Sequence, residues 1–172
     1  MQYTMKKIVV LETNMGQIEI ELDHENAQIT TENFIRYVQE GYYDGTIFHR
    51  IIDGFMIQGG GYTPDGEEKP TRKAIKLKSN NGLKNQIGTI AMARTSDPNS
   101  ATSQFFINVA DNHYLNYAKG NDGYAVFGRV ISGMETVNRI KTVKTGNKGS
   151  YTDWPQEDVI IEHASLTKPK TP

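Results

Sequence analysis

The sequence predicts a mainly β protein, a closed or nearly closed antiparallel barrel with helices covering its ends. Three observations carry the prediction. Short apolar or alternating runs recur along the chain, tight-turn dipeptides separate them, and only two stretches show a convincing helical period. At 172 residues the chain suits a single domain, with a core over about 7–166 and terminal extensions at 1–6 and 167–172.

Lys7 to Thr13 and Gln17 to Leu22, joined by Asn14-Met15-Gly16, predict an opening β-hairpin, with Ile18, Ile20 and Leu22 on one face and Glu19 and Glu21 on the other. From Ile29 to Glu40 the period turns helical, with Ile29, Phe34, Ile35 and Val38 assigned to the apolar face and Gly41 to the stop. The apolar runs Ile47 to Ile52 and Phe55 to Ile57 flank the turn dipeptide Asp53-Gly54 and form the centre of the chain. Gly59-Gly60-Gly61 is followed by neither a Gly-Lys-Ser/Thr nor a helix, so it is assigned to a bulge or a close backbone crossing rather than to phosphate binding. Tyr62 to Lys73 is polar surface loop and Asn80-Asn81-Gly82 a turn. Gly88 to Ala93 is a strand whose small side chains would let another chain approach. The loop Arg94 to Ser103 leads into the strand Gln104 to Val109, which carries aromatic residues on both faces. Asn112 to Leu115 is assigned a short helical turn, Tyr124 to Ile131 a strand, Met134 to Ile140 a second helix and Asp158 to Leu166 a last strand. Lys168 to Pro172 is expected to fray.

Composition narrows the function. A net charge of -1 supplies no basic field for nucleic acid and none for a membrane surface, so neither partner is expected. Cysteine is absent, which excludes disulfides, thiolate metal sites and cysteine nucleophiles but fits either redox compartment. Lys6-Lys7 precede only the apolar residues Ile8 to Leu11, short of the roughly 7 to 15 of a leader, and no run approaches the roughly 18 of a membrane span. A cytoplasmic location is therefore expected, and Met5 offers an alternative start. His24, His49, His113 and His163 lie far apart without carboxylates at ligand spacing, so neither metal nor other cofactor is expected. Ser100, Thr102 and Ser103 lack a nucleophile-elbow motif and a histidine partner, which argues against a hydrolase.

What remains is Arg50, a guanidinium between apolar neighbours. It must pair with an acid, cover a surface with its stem, or face an apolar cleft as a fixed donor. With Phe55, Met56, Gln58, Gln104, Phe106 and Leu115 it forms an unusual set in three separated segments. Those segments, Phe48-His49-Arg50-Ile51-Ile52-Asp53-Gly54-Phe55-Met56-Ile57-Gln58-Gly59-Gly60, Ser103-Gln104-Phe105-Phe106-Ile107 and Val126-Phe127-Gly128-Arg129-Val130, resemble the signature segments of the cyclophilins, in the family's order. The resemblance covers roughly Lys7 to Leu166, and Asn81-Gly82-Leu83-Lys84-Asn85 with Ala91-Met92-Ala93-Arg94-Thr95 is closest to bacterial cytoplasmic members.

The resemblance implies an eight-stranded barrel capped by two helices, with an outer groove that isomerises X-Pro peptide bonds in unfolded or flexible polypeptides and so assists folding. It implies Arg50 as the catalytic donor. It implies Phe55, Met56, Gln58, Ala93, Arg94, Thr95, Gln104, Phe106, Tyr114, Leu115 and Tyr124 as substrate-binding residues. Many members have Ala-Asn-Ala where this chain has Ala93-Arg94-Thr95; if that segment holds the peptide through its backbone, the change alters side-chain contacts without removing binding. Tyr114 stands where cyclosporin-sensitive members have Trp, and Tyr124 where many have His, so weak cyclosporin binding is expected. Trp154 is the only tryptophan and is distant in sequence from the groove segments. A monomer is expected. The alternative is a proline-peptide binding or chaperone-like module with incidental isomerase activity, which a lost donor or filled pocket would mark.

Overall fold

The computed structural model describes residues 6–167, so the expected fraying of 168–172 lies outside the described residues. Its strands are β1 (Lys7–Thr13), β2 (Gly16–Leu22), β3 (Thr46–Ile52), β4 (Met56–Tyr62), β5 (Thr89–Met92), β6 (Phe105–Asn108), β7 (Val126–Ser132), β8 (Thr145–Lys148), β9 (Tyr151–Pro155) and β10 (Ile160–Thr167). The helices are α1 (Gln28–Gln39) and α2 (Met134–Lys141). Eight strands close an antiparallel barrel in the order β1-β10-β3-β4-β6-β5-β7-β2, as the resemblance implied, and β8 and β9 form a separate hairpin. Closure removes the free edges that an open sheet of this size would present.

The interior is filled by residues such as Val9, Leu11, Ile18, Ile20, Phe48, Ile57, Phe105, Ile107 and Phe127. Helix α1 plugs one end by inserting Phe34, whose ring lies 5.4 Å from Phe105 in a T-shaped contact and 5.1 Å from Phe127. Its buried face is Thr30, Thr31, Phe34, Ile35, Tyr37 and Val38. Ile29, assigned to that face from sequence, is instead 46% exposed, because five residues before Phe34 falls on the far side of a helix with 3.6 residues per turn. Gly41 stops the helix at φ 70°, as expected.

Two irregularities between β3 and β4 shape everything outside the barrel. Phe48 points into the core, so strict alternation would send Arg50 inward as well. The register prevents this: Phe48 pairs with Gly59 and Arg50 with Gln58, so one extra residue, His49, is accommodated on β3. This β-bulge turns both His49 and Arg50 outward and returns Ile51 to the core. On β4 the next pair is Ile47 with Tyr62, which leaves Gly60 and Gly61 as the second irregularity. Gly60 has φ 89°, and a Cβ there would approach the rings of Phe105 and Tyr43 to 2.8 Å. The glycine run is thus both a bulge and a close crossing. It also carries β4 to Tyr62, beyond the Phe55 to Ile57 run read from apolar character alone.

The hairpin of β8 and β9 was not expected, since Thr145 to Asp153 is polar and without period. It anchors through Trp154, which is buried with Ile47 and Tyr62 against the outer face of β3.

Buried asparagines tie the barrel to the loops beside β4 and β6. Asn108 Nδ2 donates to Asn85 Oδ1 and Thr89 Oγ1, both at 3.0 Å. Asn112 Nδ2 donates to Asn108 Oδ1 at 2.8 Å and to the Phe55 carbonyl at 2.9 Å, and Asn85 Nδ2 donates to the Leu115 carbonyl at 3.1 Å. Asn85 and Asn108 are fully buried, so each lost partner leaves a desolvated group unpaired. Asn85→Ala should therefore lower the unfolding free energy by about 2–4 kcal/mol, since several groups are orphaned at roughly 1–3 kcal/mol each. Urea unfolding checks this; a loss below about 0.5 kcal/mol would show that the network does not hold these loops.

Candidate active site

The outer face of the sheet carries a row of side chains fixed by register. Arg50 pairs with Gln58, Gln58 with Phe106, Phe106 with Ala91, and Ala91 with Val126. Cross-strand neighbours of this kind stand about 5 Å apart, so residues distant in sequence become one surface. Met56, Ala91, Ala93, Phe106, Leu115 and Val126 form an apolar cluster outside the barrel, with Phe55 and Tyr124 packed at its margin.

A cavity of about 180 Å³ opens above this cluster, lined by Arg50, Phe55, Met56, Gln58, Ala93, Arg94, Phe106, Leu115 and Tyr124. Nine of the residues expected from sequence thus meet in one groove. Met56 and Phe106 are 2% and 4% exposed, which makes them floor rather than rim. Arg50 is exposed and, among the described residues, makes no ion pair and no side-chain hydrogen bond, so of its three possible roles the acid pairing is not used. Gln58 Nε2 donates to Gln104 Oε1 at 2.9 Å, which fixes the Gln58 amide beside Arg50.

The remaining expected residues stand around the cavity without lining it. Gln104 acts on Gln58. Tyr114 is 64% exposed and stacks on Phe55 with centroids 6.0 Å apart. Thr95 shapes a turn, its N–H and hydroxyl donating to Ser100 Oγ at 3.0 and 2.8 Å. Ser100 in turn donates to the Asp97 carbonyl and Ser103 to the Tyr42 hydroxyl, so neither serine has a histidine partner.

Arg94 donates from Nη1 to the Thr95 carbonyl at 2.9 Å and from Nη2 to the Gly123 carbonyl at 2.7 Å, and its guanidinium lies 4.4 Å from the centroid of the Tyr124 ring. Tyr124 meets Phe106 edge-on at 5.7 Å. The Ala93 N–H pairs with the Gln104 carbonyl, whereas the Arg94 N–H and C=O have no backbone partner among the described residues.

His49, next to Arg50, is packed between Tyr62 at 4.4 Å and Trp154 at 5.8 Å, the packed strand histidine expected from sequence. Burial, with Arg50's charge as a second cause, holds its imidazole down at about 4, and Nδ1 has no hydrogen-bond partner. It is neutral at ordinary pH and is not among the residues that line the groove.

A larger cleft of about 850 Å³ lies between β2, β7 and the loop around Lys84. Glu21 there lies 3.8 Å from Lys6 and 3.5 Å from Arg129, Asp23, Glu25 and Lys84 add further charge, and no Phe, Tyr or Trp lines it. Chemistry rather than size selects the smaller groove.

The sequence did not single out Asn85, Asn108 and Asn112, which hold the Phe55 and Leu115 carbonyls and so set two walls of the groove. The available signal was Asn108, an amide in an apolar strand where asparagine is disfavoured.

The model of the family described as cyclophilin type peptidyl-prolyl cis-trans isomerase/CLD matches residues 8–166. Peptidyl-prolyl cis-trans isomerase B of Escherichia coli (strain K12) is 50% identical over 164 residues, covering 94% of this chain and 100% of that one. Peptidyl-prolyl cis-trans isomerase A of Dickeya dadantii (strain 3937) is 49% identical over 160 residues, covering 93% and 84%. Among solved structures, a Cryptosporidium parvum cyclophilin type peptidyl-prolyl cis-trans isomerase, crystallised in the presence of the dipeptide Ala-Pro, superposes with a TM-score of 0.76 at 29% identity, over 94% of this chain and 99% of that one. With barrel, groove and relatives in agreement, the chain belongs to the cyclophilin-type peptidyl-prolyl cis-trans isomerases.

Proposed function

We propose that the groove accelerates rotation about X-Pro bonds by seating the proline ring on Met56, Phe106 and Leu115 and presenting Arg50 to the prolyl nitrogen. The observation that carries this reading is Arg50, a guanidinium without an acid partner at the edge of an apolar cavity and in register with Gln58. Uncatalysed rotation is slow because it breaks amide resonance, a barrier of about 18–20 kcal/mol. In the twisted amide the nitrogen regains a lone pair and accepts a hydrogen bond that the planar form cannot. A donor fixed there stabilises the transition state more than the ground state. Guanidinium suits the task because it stays protonated and offers a rigid fork of donors.

Phe55 and Tyr114 close one side of the ring site, and Gln58, held by Gln104, orients Arg50 or accepts from the peptide. The Arg94 backbone, without a backbone partner among the described residues, offers an edge for an extended peptide, consistent with binding through that segment's main chain. A groove that reads proline and backbone suits unfolded or flexible chains, so assistance to protein folding is part of the reading. Weak cyclosporin binding follows from Tyr114 in place of an indole donor. We further read the protein as a monomer acting in the cytoplasm; the apolar run after Lys6-Lys7 is barrel strand β1, paired on both edges. No helix among the described residues is long and apolar enough to cross a membrane.

Arg50→Ala should reduce catalysis of cis/trans exchange in an Ala-Pro peptide by about 10²–10³, the usual cost of one preorganised donor. Arg50→Lys, which keeps charge but loses the fork, should fall between. NMR exchange spectroscopy with circular dichroism as a folding control reads both, and a folded Arg50→Ala as fast as the wild type would remove Arg50 from the mechanism. The rate should also stay constant between pH 6.5 and 9, because no proton is transferred and His49, held near 4, is already neutral there. A rate following a group that titrates near 6.5 would contradict this.

A further inference from the structure

We propose that the groove selects proline peptides bearing a carboxylate on a residue flanking the proline, with Arg94 as the specificity-determining residue. This rests on the isomerase reading of the same groove. The lining contains two cations, Arg50 and Arg94, and no acid. The nearest acids along the chain from Arg94 and its partner Gly123, Asp97 and Asp122, are not among the lining residues. Elsewhere on this chain of net charge -1, Arg36 and Arg72 pair with Glu40 and Arg129 with Glu21, while Arg139, bound to the Met15 carbonyl and Thr136 Oγ1, stands away from the groove. The groove is therefore a local positive site in a chain with a slight excess of acid.

Arg94 is also held in place before any ligand arrives. Its contacts are to neutral partners, the carbonyls of Thr95 and Gly123 and the face of Tyr124. Carbonyl contacts fix the guanidinium without cancelling its charge, and a fork of five N–H donors is not exhausted by two bonds. Little side-chain entropy remains to be lost on binding.

The backbone decides which peptide residue meets this charge. The Arg94 N–H and C=O have no backbone partner among the described residues, and Ala93 and Arg94 both line the cavity. Proline has no N–H, so a two-bond pairing with Arg94 uses a residue flanking it. Directly opposed residues of an antiparallel pair put their side chains on one face about 5 Å apart, so the flanking side chain lies beside the guanidinium. A carboxylate there gains a charge-assisted partner; an ammonium meets two like charges.

The test compares isosteric peptides, Glu-Pro against Gln-Pro and Pro-Glu against Pro-Gln, with Lys-Pro as the repelled case, by NMR exchange at low salt. For at least one flank the wild type should favour Glu over Gln by roughly three- to fivefold in kcat/KM, and disfavour Lys. The preference should shrink towards unity at about 0.5 M salt, where the screening length is roughly 4 Å. It should vanish in Arg94→Gln, read as the Glu/Gln ratio within the variant so that a general loss of rate does not intrude. Equal Glu and Gln rates at both flanks, or a preference surviving in folded Arg94→Gln, would overturn the proposal. Should that variant not fold, the wild-type salt series decides, and a salt-independent preference overturns it. Acceleration of Ala-Pro without discrimination leaves the isomerase reading standing and removes only this inference; no acceleration of any peptide removes both.

Discussion

One extra residue in β3 governs the chemistry of this protein. Because His49 is accommodated as a bulge opposite Gln58, Arg50 points out of the barrel and Ile51 points in. Without it, a guanidinium would enter an interior made of Phe48, Phe105, Phe127 and their neighbours, where an unpaired charge costs far more than the packing could return. The outward turn of His49 has a matching requirement. That ring must be buried against something, and Tyr62 with Trp154 from the β8–β9 hairpin does so. The hairpin, remote from the groove, thus helps complete the strand that presents Arg50.

The sheet serves two apolar layers at once. Its inner face holds the barrel core, and its outer face carries the smaller cluster of Met56, Ala91, Phe106, Leu115 and Val126. Alternation along β6 shows the division in two adjacent residues, Phe105 inward and Phe106 outward. Rigid strands set the spacing between Arg50, Gln58 and Phe106, while the asparagine network fixes the loops that carry Phe55 and Leu115. Precision in such a groove comes from these supports as much as from the residues that line it.

Most of this was legible in the sequence where local chemistry was out of place. A guanidinium among Ile47, Phe48, Ile51 and Ile52, and three consecutive glycines after a strand, each demanded a structural reason, and each has one in the bulged pairing. The cyclophilin-like segments then joined positions that no periodicity connects. What stayed hidden was set by tertiary context. Thr145 to Pro155 pairs as a hairpin because Trp154 has a pocket over β3, which its own polar sequence does not announce. Asn85 and Asn112 look like turn residues, and only the fold reveals that their side chains carry the groove's walls. Ile29 is apolar yet exposed, because its angular position on α1 rather than its apolar character decides which side it faces.

The most direct test is a crystal structure of the protein with a short Ala-Pro peptide bound. The proline ring should sit on Met56, Phe106 and Leu115, with an Arg50 nitrogen at about 3 Å from the prolyl nitrogen, a normal hydrogen-bond distance. A ring seated there with Arg50 bonded elsewhere, or a peptide lying in the charged cleft beside Glu21 and Arg129, would contradict it.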